Sequence, residues 1–128
     1  MYATMILIKD KGQRKSMNIQ IYGSGKCFDT KKAERYFKER RIKYQMIDLK
    51  RYGLSPREFE AVKAAVGLEN MINTKSKDYE ASFIAHLAHT QDVIEKLMEN
   101  PGLLRTPIVR NGRQATVGYC PDVWKEWE

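Results

Sequence analysis

Hydrophobic and polar positions alternate along Asn18–Tyr22, NIQIY, which is also rich in β-branched residues. This alternation is typical of a β-strand with one buried face. Tyr44–Leu49, YQMIDL, predicts a second strand, and Thr30–Arg41 between them repeats its apolar positions at helical spacing. The residues expected on one face of that helix are Ala33, Tyr36, Phe37 and Arg40.

The segment LSPREFEAVKAAVG carries the clearest helix signals in the chain. Ser55 suits the N-cap, Pro56 suits the first helical position and Glu58 completes a capping box. Gly67 is expected to end the helix. Its buried stripe should consist of Phe59, Val62 and Val66.

Two further helices are expected, over Asp78–His89 and Gln91–Glu99. Thr90 would cap the second of them, and NPG at residues 100–102 would end it. The apolar face of that helix should hold Val93, Ile94, Leu97 and Met98.

A β-hairpin and a short helix complete the pattern. Pro107–Arg110 and Arg113–Val117 predict strands joined at Asn111-Gly112, a strong hairpin signal, and Pro121 opens the last helix. The residues of that helix expected to face inward are Val123, Trp124 and Trp127. The order β-α-β, helical insert, β-hairpin, α is the α/β layout of a thioredoxin-like (glutaredoxin-like) fold.

A chain of 128 residues with 42% hydrophobic residues is expected to form one domain with a buried core. We assign that domain to residues 18–128. Residues 1–17 are expected to be an N-terminal extension, either disordered or an added strand. No stretch reaches the roughly 20 apolar residues of a membrane helix, and the N-terminus lacks the pattern of a secretory signal.

The net charge indicates which partners to expect, and the cysteine content indicates the cellular compartment. The net charge of +7 indicates anionic partners or a solvated basic surface. The two cysteines, Cys27 and Cys120, form neither a CxxC nor a zinc pattern, which favours a reduced, cytoplasmic protein.

The stretch IYGSGKCFDT raises two hypotheses for the junction between the first strand and the first helix. Gly25-Lys26 could end a phosphate-binding loop, but its first glycine would fall on Gln20 and its Ser or Thr on Cys27. Nucleotide hydrolysis is therefore disfavoured.

The second hypothesis is a reactive thiol. A helix N-terminus presents unpaired N–H groups and a partial positive charge, which can lower the pKa of Cys27. Lys26, Lys31 and Lys32 would add positive potential, whereas the Asp29 carboxylate would oppose it. A small buried cysteine is the structural alternative, and the glycines and lysines favour the functional thiol.

Other candidate sites are weaker. His86 and His89 are three residues apart with no further ligand nearby in sequence, so we expect no metal site. The basic residues of the first helix are expected to form a solvated face, and nucleic-acid binding is disfavoured because aromatic residues do not alternate with them on an exposed face.

Four segments resemble the ArsC/Spx family, which includes glutaredoxin-linked arsenate reductases and the transcription regulator Spx. They are IYGSGKCFDTKKAERYFKERRIKYQMIDL, LSPREFEAVKAAVG, MINTKSKDYE and NPGLLRTPIVRNGRQATVGY. The resemblance implies a thioredoxin-like sheet with a helical insert and a cis proline at Pro107, after Thr106. It also implies a single-cysteine cycle with Cys27 as nucleophile, glutathione as co-substrate, glutaredoxin as reductant and no bound cofactor.

The family's arsenate reductases hold the oxyanion with three arginines, and this chain lacks all three. The corresponding positions fall near Asn73 and Lys75, at Thr106 with Arg105 just before it, and at Cys120. A lysine ammonium does not replace the bidentate fork of an arginine. We therefore expect the protein to reduce a small oxidised or oxyanion substrate other than arsenate. The residues expected to bind this anion are Gly25, Lys26, Lys75, Arg105, Thr106 and Pro107.

The resemblance to Spx offers a different class of function. Spx carries a CxxC switch, and this chain has Thr30 at the second position. Spx also binds the C-terminal domain of the RNA polymerase α subunit, which implies a non-enzymatic binding module as the alternative. Cys120 stands at the position of an active-site arginine, so it could serve as a resolving thiol for Cys27 or simply precede the last helix.

Overall fold

The computed structural model describes residues 17–127, so residues 1–16 of the expected N-terminal extension lie outside the described part. Its centre is a four-stranded sheet in the order β2-β1-β3-β4. The strands are β1 (Ile19–Gly23), β2 (Tyr44–Asp48), β3 (Ile108–Asn111) and β4 (Gln114–Val117). β1 runs parallel to β2 and antiparallel to β3, and β3 is antiparallel to β4.

The α-helices of the described residues surround this sheet. They are α1 (Phe28–Glu39), α2 (Leu49–Tyr52), α3 (Pro56–Val66), α4 (Leu68–Met71), α5 (Lys77–Ala81), α6 (Thr90–Glu99) and α7 (Pro121–Trp127). Short 3₁₀ turns cover Ile84–His86 and Pro101–Leu103. Helices α2 to α6 form the insert between β2 and β3, as the thioredoxin-like expectation requires.

The core consists of two clusters, because successive side chains of β1 point to opposite faces of the sheet. Ile19 and Ile21 pack with α1 and α7, where Phe37 and Trp124 are fully buried. Tyr22 points to the other cluster, which the insert covers. Trp124 Nε1 donates a hydrogen bond to Thr116 Oγ1 at 2.7 Å, so α7 is fastened to β4.

A polar cluster joins α3 to the sheet. The Tyr22 hydroxyl donates to Glu58 Oε2 at 2.6 Å, and Arg110 Nη1 donates to the same hydroxyl at 3.1 Å. Arg110 also lies 3.8 Å from the Glu58 carboxylate. Burial, aided by the hydrogen bond to Glu58, raises the pKa of Tyr22 to about 12. This cluster fixes the carboxyl end of β1, where the candidate site begins.

The capped helix α3 confirms its prediction, including the capping box between Ser55 and Glu58. The prediction of a single helix over Asp78–His89 is wrong. Helix α5 ends at Ala81, because Phe83 adopts a left-handed backbone with φ of 58°, and a 3₁₀ turn follows. The Ser82 hydroxyl accepts a hydrogen bond from Ile84 N at 3.2 Å, which stabilises the break.

Several boundaries also differ. α1 starts at Phe28, directly after Cys27, rather than at Thr30. Thr90 is not a cap, because it belongs to α6 and His89 precedes the helix without a side-chain hydrogen bond. The hairpin turn is Gly112-Arg113, one residue later than expected, since Asn111 pairs with Gln114.

Two residues expected on apolar faces are exposed. Val123 is 44% exposed, because only Trp124 of α7 reaches the core fully. Arg40 is exposed and stacks its guanidinium over the Tyr36 ring.

Candidate functional site

The site forms where β1 gives way to α1. After Gly23 the chain makes a tight turn, in which Cys27 N donates to the Ser24 carbonyl at 3.1 Å. Cys27 takes an extended backbone conformation as the N-cap of α1. Its sulfur therefore lies beside the first N–H groups of the helix, which have no intrahelical partner.

The Cys27 thiol faces the segment before β3. Its Sγ donates to the Thr106 carbonyl across 3.6 Å, and the Thr106–Pro107 peptide bond is cis. Cys27 is partly exposed, so a small molecule can reach the sulfur. The structure thus brings together Cys27, Thr106 and Pro107, which are far apart in sequence.

Hydrogen bonds at the sulfur favour the thiolate. Burial by itself would raise the pKa of Cys27. Hydrogen bonds from the side chains of Thr106 and Thr30, and from the backbone N–H groups of Thr30 and Asp29, outweigh it, so the pKa is lowered. The thiolate is the nucleophilic form of cysteine, which makes Cys27 the chemically competent residue of this site.

Thr30 contacts the Cys27 sulfur, and the sequence analysis did not identify it as part of the site. It is 1% exposed, and its hydroxyl also accepts a hydrogen bond from Ser24 N at 3.4 Å. Gly23 leaves room for it, because a Cβ at that position would collide with the Thr30 side chain. The sequence contains one signal that could have identified Thr30. It lies three residues after Cys27, at the position of the second cysteine of a CxxC motif.

Cys120, Arg105 and Asp29 form the neighbouring part of the site. Burial raises the pKa of Cys120, the Asp29 carboxylate adds to the increase, and Arg105 opposes it. Its sulfur donates to the Val117 carbonyl at 3.3 Å. Both Cys27 and Cys120 are free thiols, and Cys120 has the environment of the less reactive one.

The lysines expected to activate Cys27 engage other groups. Lys31 lies over the Phe28 ring at 5.9 Å, and Lys32 lies 4.0 Å from the Asp29 carboxylate. Asp29 acts on Cys27 through its backbone N–H, whereas its carboxylate raises the pKa of Cys120.

The remaining anion-site candidates lie on three different segments of the chain. Gly25 and Lys26 are exposed in the turn before Cys27. Lys75 is exposed on the insert, in a segment joined to residues 103–105 by the hydrogen bond from Asn73 N to the Leu103 carbonyl at 2.7 Å. Arg105 passes near Gly118, beside the loop that carries Cys120.

Histidines play no part in this arrangement. His86 lies beside Phe83 on the insert, with 6.4 Å between the ring centroids. Within residues 17–127, no group of three or more His, Cys, Asp or Glu side chains is placed to hold a metal ion. No helix of the same residues is long and apolar enough to cross a membrane.

The protein has a mixed parallel and antiparallel sheet covered by helices, a cysteine at the N-terminus of its first helix, and a cis-proline segment that faces this cysteine. These features define a thioredoxin-like fold. The model of the ArsC family matches residues 22–127. The chain belongs to the ArsC family.

Curated relatives similar to this chain carry the name Spx. The global transcriptional regulator Spx 2 of Oceanobacillus iheyensis is 30% identical over 109 residues, covering 83% of this chain and 80% of the relative. The global transcriptional regulator Spx of Enterococcus faecalis is 29% identical, covering 81% of each chain.

Solved structures of the same fold include one named arsenate reductase. The arsenate reductase from Vibrio cholerae aligns with a TM-score of 0.77 at 22% identity, covering 88% of this chain and 98% of that one. SACOL0876 from Staphylococcus aureus COL aligns with a TM-score of 0.70 at 25% identity, covering 84% and 96%.

Proposed function

We propose that this protein is a single-cysteine thiol oxidoreductase that acts on a small oxidised or anionic substrate, with Cys27 as nucleophile. The observation that supports this most is the lowered pKa of a partly exposed thiol at the N-terminus of α1, opposite Thr106. A thiolate in that position can attack an electrophilic atom of a bound molecule.

The proposed cycle uses glutathione as co-substrate. The Cys27 thiolate displaces hydroxide from an oxyanion and forms a bond between sulfur and its central atom. A glutathione thiolate then attacks the Cys27 sulfur, and the electron pair of the breaking bond reduces the central atom. A glutaredoxin thiolate attacks the glutathione sulfur of the mixed disulfide and releases the Cys27 thiolate.

Anion binding is assigned to groups around the sulfur. The partial positive charge at the N-terminus of α1 and the cations Lys26 and Arg105 would hold the negative oxygen atoms. Lys75 would approach from the insert, and Gly25, Thr106 and Pro107 would shape the opening. We expect arsenate not to be turned over, because Asn73, Thr106 and Cys120 occupy the places of the family's arginines.

The first test is the pKa of Cys27, measured by the pH dependence of iodoacetamide alkylation in the Cys120→Ser variant. We expect the thiolate to form well below the pKa of about 8.5 of a free cysteine. The second test is reduction of the glutathione adduct of 2-hydroxyethanethiol, coupled to glutathione reductase. In this reaction the Cys27 thiolate attacks the glutathione sulfur and displaces 2-hydroxyethanethiol, and a second glutathione then releases the Cys27 thiolate and leaves as glutathione disulfide. We expect turnover that Cys27→Ser abolishes and Cys120→Ser retains.

An ordinary pKa together with no turnover would overturn the proposal. Loss of turnover in both the Cys27→Ser and the Cys120→Ser variants would instead assign a two-cysteine cycle, in which Cys120 resolves the Cys27 adduct.

A second candidate function is favoured by the similarity to proteins named Spx, at 30% identity over 109 residues for one of them. In this hypothesis the chain is a non-enzymatic module that contacts the C-terminal domain of the RNA polymerase α subunit. Titration of that purified domain with this protein tests it. Binding that Cys27→Ser leaves unchanged, together with no turnover of the disulfide, would favour this function over the first.

A further inference from the structure

A pocket of about 300 Å³ lies on the insert, where α5 is followed by the 3₁₀ turn of Ile84–His86. Three aromatic rings and one carboxylate line most of it. The lining residues are Tyr79, Glu80, Phe83, Ala85 and His86. None of them belongs to the site around Cys27, so the proposed thiol chemistry does not account for this pocket.

The aromatic side of the pocket is largely open. The ring of Phe83 is 66% exposed. The His86 ring lies beside it with 6.4 Å between the centroids, a loose contact that leaves most of the Phe83 surface accessible. Tyr79 is half-buried and packs against the core cluster under the insert, which gives the pocket one fixed wall. A further flat group can therefore stack on Phe83.

The carboxylate of the pocket lacks a partner among the described residues. Glu80 is exposed, and its side chain makes neither a hydrogen bond nor an ion pair with another described residue, Lys77 one turn earlier on α5 included. A carboxylate beside aromatic rings attracts an organic cation, because the carboxylate pairs with its charge and the ring faces attract it as well.

The segment around the pocket is acidic, although the chain as a whole is basic. Residues 68–100 contain six acidic and three basic side chains, whereas the whole chain has a net charge of +7. Negative charge confined to one segment attracts a basic partner there, while the rest of the surface repels it. The charge of this segment therefore complements a basic partner.

A guanidinium fits this lining better than an ammonium does. It is flat, so it stacks on an aromatic ring, and its edge can donate two hydrogen bonds to one carboxylate. Glu80 and Phe83 line the same pocket, so one guanidinium can contact both.

The pocket favours a side chain of a protein over a free small cation. An exposed ion pair contributes only about 0–1 kcal/mol, which is too little to offset the translational freedom that a small cation loses. A partner protein adds contacts with the acidic segment, and its arginine then serves as an anchor in the pocket.

We propose that this pocket binds an arginine side chain from a basic segment of a partner protein, with the guanidinium stacked on Phe83 and paired with Glu80. Tyr79 and His86 border the aliphatic part of the arginine. The interaction is independent of the chemistry of Cys27, and its test does not depend on turnover.

The test is fluorescence polarisation of fluorescein-labelled hexaarginine and hexalysine with the full chain at about 0.1 M salt. Glu80→Gln removes the carboxylate, and Phe83→Asn removes the ring but keeps a residue that tolerates the left-handed backbone. The matched control, Glu99→Gln, removes the same charge from an exposed position of the same segment outside the pocket. Competition by unlabelled L-arginine distinguishes a free guanidinium compound from one on a peptide.

We expect hexaarginine to bind more tightly than hexalysine. Glu80→Gln should weaken its binding by roughly threefold to tenfold and Phe83→Asn by roughly threefold, whereas Glu99→Gln should change it by less than about twofold.

The absence of hexaarginine binding, or an unchanged affinity in either pocket variant, would overturn the proposal. Equal affinities for the two peptides, or equal weakening by Glu80→Gln and Glu99→Gln, would overturn it too, because charge alone would then explain binding. Displacement of hexaarginine by L-arginine at concentrations near the Kd of the peptide would replace the partner protein by a free guanidinium compound.

Discussion

The lowered pKa of Cys27 depends on a few neighbouring hydrogen-bond donors rather than on nearby lysines. The sulfur receives hydrogen bonds from the side chains of Thr106 and Thr30 and from two backbone N–H groups of α1. Thr30 is held in place because Gly23 lacks a side chain. We therefore expect the pKa of Cys27 to be sensitive to single substitutions that leave Cys27 itself intact.

Replacing Thr30 by valine should raise the pKa of Cys27, because the isosteric side chain loses the hydroxyl that stabilises the thiolate. In the Cys120→Ser background, we expect alkylation at neutral pH to slow by roughly threefold to tenfold. The measurement is the pH profile of iodoacetamide alkylation. Thr30→Ser keeps the hydroxyl and should restore the wild-type profile, and an unchanged profile in Thr30→Val would contradict the assigned role.

Gly23→Ala should destabilise the protein by about 1–3 kcal/mol, because the new Cβ would collide with the buried Thr30 side chain. Gly25→Ala is the matched control, since a Cβ there meets no atom within 4 Å. The free energy of unfolding from urea denaturation measures both. A similar loss in the two variants would show that the glycine turn as a whole, rather than this contact, sets the stability.

At the scale of elements, helix ends decide how the insert is built. α3 has a complete capping box, in which Glu58 N donates to Ser55 Oγ at 3.2 Å and Ser55 N donates to Glu58 Oε1 at 2.8 Å. α6 begins after His89 without a side-chain cap. α5 stops where Phe83 turns left-handed. The capping box fixes the first of these ends, and the hydrogen bond from Ile84 N to the Ser82 hydroxyl stabilises the break after α5.

Ser55→Ala should cost about 1 kcal/mol of stability, because one N–H of the first turn of α3 loses its acceptor. Thr90→Ala should change stability by less than about 0.5 kcal/mol, since Thr90 is exposed and does not cap α6. Thermal and urea unfolding of the two variants give the comparison. A larger loss of stability in Thr90→Ala than in Ser55→Ala would contradict the assignment of Ser55, and not Thr90, as a helix cap.

At the scale of the whole molecule, the cluster of Tyr22, Glu58 and Arg110 joins the insert to the sheet. Its member Tyr22 lies on β1, the strand that leads to Cys27. Burial opposes ionisation of Glu58, yet hydrogen bonds from Tyr22 and Ser55 and the charge of Arg110 lower its pKa. A carboxyl group with a lowered folded-state pKa stabilises the fold above its unfolded pKa of about 4.3. That contribution is lost as pH falls through the lower folded-state pKa.

Glu58→Gln should therefore lose about 1–2 kcal/mol near neutral pH, because it leaves the charge of Arg110 partly buried without its partner. The difference from the wild type should shrink as pH falls below about 4, where Glu58 of the wild type also becomes neutral. Urea unfolding across this pH range measures it. Glu60→Gln, exposed on the same helix, is the control, and a pH-independent difference would rule out the charge as its cause.

The sequence by itself determined the strand–helix–strand start, the capped helix α3, the hairpin and the position of Cys27 before a helix. These features depend on periodicity, caps and turn residues, which act between neighbours in the chain. For the same reason the resemblance to the ArsC family could be identified from contiguous segments, and the family match agrees with it.

Only the tertiary structure decided which groups surround Cys27. The approach of Thr106 to the sulfur and the space that Gly23 leaves for Thr30 join residues from different elements. Such contacts depend on how the elements fold together, so no local pattern in the chain encodes them.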